Sequence, residues 1–375
     1  MNLFNVYPLY DVTPVKAKGC FVWDDKDRIY LDLYGGHAVI SVGHSHPNYV
    51  ANLKHQIETL GFYSNAVQNP MQVELAEKLG KLSGYENYEL FLCSSGAEAN
   101  ENALKLASFH TNKSRVIAFK NGFHGRTSAA VAATDNPSII APINKQQATT
   151  ILPLNDIALV KKELKKDDVC AVIIEGIQGV GGLDEGTTTF FQELETACKR
   201  YKTVLILDEV QSGYGRTGKF FAHQHHNIKP DIITIAKGMG NGFPVGGVLI
   251  SPKFDASFGL LGTTFGGNHL ACAASISVLD IIKNENLIEN TNTISEYFIS
   301  EIEKFPKVKK IKGRGLMIGL EFDFEVGEMR KKLIYDYNIF TGGAKDKNVL
   351  RILPPLTIKK EHIDVFINAL KEILD

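Results

Sequence analysis

The sequence predicts an α/β protein: a mostly parallel central sheet covered by helices on both faces, with a smaller α+β unit drawn from both ends of the chain. Three observations carry this. Short β-branched runs that are apolar throughout recur along the middle of the chain, amphipathic segments of helical period alternate with them, and the two ends break the alternation. A strand apolar on both faces needs cover on both faces, and a parallel pair needs a crossover, which a helix supplies.

The elements follow in order. CFVWDDKDRIYLDL (20–33) predicts a hairpin with a polar turn at Asp24–Asp27. The strand-like run ELFLCS leads into Ser95-Gly96-Ala97 and the helical pattern AEANENALKLASFH (97–110). RVIAFK (115–120), CAVIIEG (170–176), TVLILDE (203–209), DIITIAKG (231–238) and GGVLIS (246–251) predict strands, with the helix TTFFQELETACKRY (188–201) among them. Long helices at 286–305 and 360–374 flank strands such as GLMIGLEF. The expected division is 1–46 for the first part of the small unit, 47–275 for the large α/β domain and 276–375 for the rest of the small unit. No repeat or low-complexity linker interrupts it.

Composition excludes several classes. A chain of 375 residues with 44% hydrophobic and 22% charged residues suits a globular enzyme with a large core. A net charge of −1 gives no general attraction to nucleic acid or anionic membranes. No basic-then-apolar leader and no bilayer-length apolar run is visible, so a cytoplasmic protein is expected. The five cysteines are scattered and never paired as C-x-x-C, which fits buried thiols rather than a disulfide or zinc framework. HQHH (223–226) has no carboxylate or thiol at ligand spacing, so a structural role is expected and no metal.

Two glycine patterns overlap at 213–220, where Gly213, Gly215 and Gly218 also satisfy G-x-G-x-x-G. GYGRTGKF (213–220) satisfies most of a phosphate-binding loop through Gly213, Gly218 and Lys219. Phe220, however, stands where that loop needs a hydroxyl, and FFAHQHHNIKPD offers no clear helix to receive phosphates. A P-loop nucleotide-binding protein is therefore the remote alternative.

In an open parallel sheet, ligands gather at the carboxyl ends of the strands. Asp208 follows TVLIL, Lys237 follows DIITIA, and Ser95-Gly96-Ala97 opens a helix after ELFLCS. Taken singly, Asp208 also reads as a turn cap and Lys237 as a surface lysine. Together they form a set. A helix start binds a phosphate dianion, a desolvated lysine loses its proton and can form a Schiff base, and a carboxylate can hold a protonated ring nitrogen. Phosphate, aldehyde and pyridinium in one molecule describe pyridoxal 5'-phosphate.

The chain resembles the class III pyridoxal-phosphate aminotransferases of the fold-type-I architecture, particularly the acetylornithine and succinylornithine aminotransferases. The resemblance runs through VKAKGCFVWDDKDRIYLDL, GHSHP, SSGAEANENALKLA, FKNGFHGRTSAA, EGIQGVGG, ILDEVQSGYGRTGKFFA, TIAKGMGNGFPVGG, TTFGGNHLACAAS and VLRILPPLTI, nearly the whole chain. It implies that Lys237 carries the cofactor and shuttles a proton, Asp208 holds the pyridinium, and Gln211 bonds the ring hydroxyl. It implies cofactor contacts from Val210 and His124, stacking by Phe123, and phosphate binding by Gly96 and Ala97 with Ser95 beside them. Thr264 would reach the cofactor of a second copy in a homodimer, and Thr263 would lie near substrate. Arg126 would hold the α-carboxylate of an acylated ornithine, and Arg351 that of 2-oxoglutarate and glutamate. The implied reaction is transamination of an N-acylornithine with 2-oxoglutarate in arginine metabolism. Ornithine and 4-aminobutyrate aminotransferases are the alternatives within the class.

Two departures stand out. Relatives have EPIQGEGG where this chain has EGIQGVGG, so Val180 replaces a glutamate that pairs with the arginine matching Arg351. Valine accepts no hydrogen bond, which leaves Arg351 open to a second carboxylate such as a succinyl cap; compensated drift is the other reading. His37 replaces an aliphatic residue, either to touch the acyl group or as a core histidine.

Overall fold

Seven strands form the central sheet of the computed structural model, which describes residues 1–375. Their spatial order is Glu89–Cys93, Gly246–Ile250, Ile232–Ile235, Val204–Asp208, Val169–Glu175, Arg115–Phe119 and Thr149–Leu152. Gly246–Ile250 runs antiparallel to both neighbours, and every other pair is parallel. The mostly parallel α/β architecture is thus present. Thr149–Leu152, an edge strand, carries two threonines in four residues and so lacks the fully apolar signature of its neighbours.

Alternation along each strand divides the core in two. Ile173, Ile206 and Val248 face the helix Gly96–Thr111, packing on its Ala99, Ala103 and Ala107. Val172, Ile174, Leu205 and Leu207 point the other way, onto the helices Ile157–Leu164 and Thr188–Arg200. Both faces of Val169–Glu175 and Val204–Asp208 are buried, which is why those strands read as continuous apolar runs.

Both ends of the chain meet in one small sheet. Pro14–Lys18, Phe21–Asp24 and Ile29–Asp32 form an antiparallel meander, and Ile339–Phe340 adds to it in parallel. The hairpin turn is closed by Asp24, whose carboxylate accepts from the backbone N–H groups of Lys26 (3.0 Å) and Arg28 (2.9 Å). A second small sheet orders Lys310–Arg314, Met317–Glu321, Val349–Ile352 and Gly342–Gly343. The helices Leu287–Ile302 and Lys360–Leu374 pack together beside it. The helix His269–Asn284 packs on Pro47–Thr59 and Pro70–Ser83 and runs unbroken through residue 276, so the division expected there does not fall on a connection. That helix is buried on nearly every side, and a helix apolar all round shows little 3.6-residue periodicity. No helix is long and apolar enough to cross a membrane.

Candidate active site

The carboxyl ends of three adjacent strands converge on a cavity of about 450 Å³. Glu175 and Asp208 are register partners, and Asp208 is likewise paired with Thr234. Being two residues beyond Ile206, Asp208 points to the same face, toward the helix Gly96–Thr111. There Asn100 Nδ2 and His124 Nδ1 donate to its Oδ2 at 2.7 and 2.8 Å, and the Val210 N–H donates to Oδ1 at 3.1 Å. Asn100 is fixed in turn by Thr234 Oγ1, which donates to its Oδ1 (2.6 Å), and by the His124 carbonyl (2.7 Å). Burial alone would lower the His124 pKa, but the hydrogen bond and charge of Asp208, with Glu175 behind it, raise it.

Lys237 sits two residues past Ile232–Ile235, at the wall of the same cavity. Its φ of +45° is costly for a residue with a Cβ. The surrounding loop is clamped to hold it. Asn241 Oδ1 accepts from the N–H groups of Ser41 (2.8 Å) and Val42 (3.0 Å). Ser41 Oγ donates to the Gly238 carbonyl (2.7 Å), and Tyr49 Oη to that of Gly240 (2.6 Å). Burial pushes the Lys237 pKa down; Asp208 and Glu175 oppose this, and Arg351 adds to it. The net direction is downward, so the lysine gives up its proton more readily than a solvated one.

Opposite stands the first turn of Gly96–Thr111, capped by Ser95, whose Oγ accepts from the Glu98 N–H (3.2 Å). Gly96 allows this turn to close on the cavity wall: a Cβ there would lie 2.7 Å from Val210 Cγ1. Gln211 Nε2 donates to the His37 carbonyl (3.1 Å), while its Oε1 is buried with no partner. Gly179 makes room for that amide, since a Cβ would lie 2.0 Å from Oε1. A helix start for phosphate, a depressed lysine for an aldehyde, a carboxylate for a ring nitrogen and an orphaned amide oxygen for a ring hydroxyl fit pyridoxal 5'-phosphate.

Ser95, Gly96, Ala97, Phe123, His124, Arg126, Asp208, Val210, Gln211 and Lys237 all line this cavity. Thr263 and Thr264 do not: Thr263 Oγ1 accepts from the Gly266 N–H (3.1 Å), and Thr264 is exposed on the surface. Arg351 lines an adjoining cavity that shares Phe123 and Val180 with the first. It is buried, donates to the carbonyls of Gly343 (2.5 Å) and Gly179 (2.7 Å), and stacks over Tyr34. No carboxylate pairs with it. His37 is not a core residue: it is exposed, with φ of +69°, and its Nδ1 is hydrogen-bonded to Tyr34 Oη.

Two buried polar residues of the cavity, Glu175 and Asn100, escaped the sequence reading. Glu175 closes an apolar strand as Asp208 does, and that shared signal identifies it. Asn100 is a polar residue on the otherwise small, apolar face of its helix, one turn after Gly96, which is also a readable signal.

The other singled-out features lie elsewhere. His223 bonds the buried Glu209, and His226 stacks on Phe191 beside Glu185; no cluster of metal-ligating type forms. Long-range folding brings those carboxylates to the histidines, although none is near in sequence. Residues 213–220 line none of this cavity. Their loop is packed shut: Arg216 is buried and donates to the carbonyls of Pro354, Leu316 (3.3 Å) and Ile40 (3.4 Å), and a Cβ on Gly218 would strike Asn292. That removes the nucleotide-loop reading. All five cysteines are buried and unpaired, and burial pushes Cys93 and Cys272 up to about 12.

Fold and site together define an enzyme of the pyridoxal-phosphate-dependent transferase class. The Aminotransferase class-III family pattern matches residues 5–374, and the chain belongs to that family. It is 38% identical over 380 residues to the acetylornithine aminotransferase of Bacillus subtilis, covering 100% of this chain and 97% of that one. To the acetylornithine aminotransferase of Aquifex aeolicus it is 41% identical, covering 99% of each. Among solved structures it superimposes on the ornithine aminotransferase of Toxoplasma gondii with a TM-score of 0.91 at 28% identity, covering 98% of this chain and 92% of that one. This chain is a pyridoxal-phosphate-dependent aminotransferase.

Proposed function

We propose that the chain moves the terminal amino group of an N-acyl-L-ornithine to 2-oxoglutarate, yielding the N-acyl-glutamate semialdehyde and glutamate in arginine metabolism. The observation that carries this is the convergence of Lys237, the Asp208–His124–Asn100 cluster and Arg126 on one cavity. The names of the full-length relatives favour the acylated donor over free ornithine or 4-aminobutyrate.

When bound, the cofactor supplies an electron sink for the pair left by a departing proton. Lys237 Nζ would hold it and would take the proton from the substrate carbon; burial lowers its pKa, which favours the unprotonated amine that both tasks need. Asp208 would hold the ring nitrogen, its carboxylate oriented by Asn100 and His124. Gln211, with its unpartnered Oε1, would hold the ring hydroxyl, and Phe123 at the cavity wall would pack against the ring. Backbone N–H groups of Gly96 and Ala97, beside Ser95, would bind the phosphate. Val210 packs against that first helical turn at Gly96. Arg126, exposed at the cavity and without a salt-bridge partner, takes the donor's α-carboxylate, and Arg351 takes that of 2-oxoglutarate.

A homodimer with shared sites accounts for Thr264, which is exposed and outside its own chain's cavity, and gives Thr263 a substrate to approach from the partner's side. The apolar arm bearing Leu3, Phe4 and Leu9, exposed on the single chain, supports the same assembly. The test is an amino-donor panel with 2-oxoglutarate, reading glutamate. N-acylornithines should exceed ornithine and 4-aminobutyrate in kcat/KM by about tenfold or more, the scale of one unmatched polar contact. A preference for either rival overturns the assignment.

A further inference from the structure

Arg126 stands on a segment held on both sides of it, while its own side chain stays free. Glu175 Oε1 accepts from the Phe123 N–H (2.9 Å), and Thr134 Oγ1 accepts from the His124 N–H (2.9 Å). Asn100 Nδ2 donates to the His124 carbonyl (2.7 Å). Gly125 presses on the first turn of Gly96–Thr111, since a Cβ there would lie 2.8 Å from Ala97 Cβ. Beyond Arg126 the chain is held by Glu101, one turn after Ala97 and so on the same side of that helix. The Arg126 side chain is exposed at the cavity.

Glu101 holds the segment in place of a local cap. Thr127 precedes the short helix Ser128–Ala132, the position from which a threonine hydroxyl ordinarily accepts the free N–H groups two or three residues on. Here it makes no such bond, and Thr127 Oγ1 donates to Glu101 Oε2 at 2.7 Å. The carboxylate takes over those N–H groups: Oε1 accepts that of Ala129 (2.9 Å), and Oε2 that of Ala130 (3.0 Å). A threonine cap would satisfy the same donors but tie the segment only to itself. Glu101 ties it, through charge-assisted bonds, to the helix that carries Gly96 and Ala97 at the cavity and Asn100 on Asp208. The backbone of Arg126 is thereby set at a fixed place relative to the groups around Lys237.

We propose that Glu101 is a positioning residue for Arg126, setting its reach so that a donor held by its α-carboxylate presents its terminal amine at Lys237. This rests on the N-acylornithine reading given above. The test compares two donors on the holoenzyme with 2-oxoglutarate: the N-acyl-L-ornithine it uses better, acetyl or succinyl, and the same molecule without its α-carboxylate, the N-acyl-1,4-diaminobutane. The ratio of their kcat/KM values reads the grip on that carboxylate. Glu101→Gln keeps the size but loses the charge and one acceptor oxygen, and should lower the ratio about tenfold, the scale of one charge-assisted hydrogen bond. Thr127→Val removes one of the bonds and should lower it by less; it decides the case by itself if Glu101→Gln fails to fold. In an Arg126→Gln background, Glu101→Gln should lower the ratio no further.

Calorimetric binding of the matching N-acyl-L-norvaline, which keeps the α-carboxylate and has no amine to transfer, should weaken about tenfold in Glu101→Gln. A loss shared equally by both donors, as general loosening of the fold gives, overturns the inference. So do additive losses in the double variant, or norvaline binding that Glu101→Gln leaves unchanged. A ratio unmoved in Arg126→Gln removes that arginine from donor recognition and overturns the inference with it. Turnover of neither acylornithine overturns the donor reading alone, and the norvaline binding then decides the role of Glu101.

Discussion

Residues 208 and 209 present similar chemistry twice, and only one copy faces a cavity. Asp208 bonds His124 at 2.8 Å, and Glu209 bonds His223 at 2.7 Å; all four side chains are buried. The partners differ. Glu209 Oε1 also accepts the His223 N–H (2.9 Å), while Oε2 accepts Ser212 Oγ (2.6 Å) and the Ala222 N–H (3.0 Å). His223 is closed at its far side by Tyr85 Oη at 2.6 Å. That network is complete and ties the glycine-rich loop to the body of the protein. Asp208 lines the cavity with Lys237 at its wall. Burial and pairing with histidine therefore do not mark a catalytic acid; an opening toward a ligand does.

The sharpest way to break the comparison is Asp208→Asn. It keeps the shape but removes the charge and puts an amide among the donors Asn100 and His124. Glutamate formation at saturating cofactor should fall by about 100-fold or more, the cost of removing one pre-organised charge. A variant within fivefold of the parent would show that Asp208 is as structural as its neighbour.

Glu209→Gln should do the converse. Breaking one member of a fully buried pair costs about 3 kcal/mol of stability, because its partners lose an acceptor they cannot replace. Urea unfolding should show that loss, while kcat per folded molecule stays within about twofold, as expected for a site that meets no ligand. Equal losses in kcat and stability would mean that the two acids act as one unit.

The same contrast explains what could be read from the sequence. Lys237, Asp208 and the Ser95-Gly96 turn were readable because each closes or follows an apolar strand, and topology alone sends strand ends to one place. Phe123, Arg126 and Gln211 came only from the resemblance, since nothing local distinguishes them from ordinary loop residues. The role of Glu209 was not readable at all. Glu209 meets a histidine 14 residues away in sequence. In the fold, apolar-throughout strands and amphipathic helices declared themselves. The all-round-buried helix His269–Asn284 and the threonine-bearing edge strand did not, because neither shows the periodicity of its type.

The smallest expected effect lies on the strand beside Asp208. Glu175 is its register partner and shares its face, yet the two acids sit in different fields. Burial pushes the Glu175 pKa up from 4.5 to about 7; His124 lowers it, the nearby Asp208 raises it, and the N–H groups of Phe123 (2.9 Å) and Gly179 (2.8 Å) lower it. The folded protein thus holds this proton more tightly than the unfolded chain. Between pH 4.5 and about 7 the native state binds more protons, so the Glu175 contribution to stability is fully present at the acid end and is lost as pH rises through the window. Glu175→Gln retains side-chain volume and carries no titrating proton. The unfolding free energy of the parent relative to that variant, followed by urea titration from pH 5 to 8, should decline steadily and then level. A difference that stays flat, or grows with pH, would mean that Glu175 is ionised throughout and that both adjacent acids face the cavity as anions.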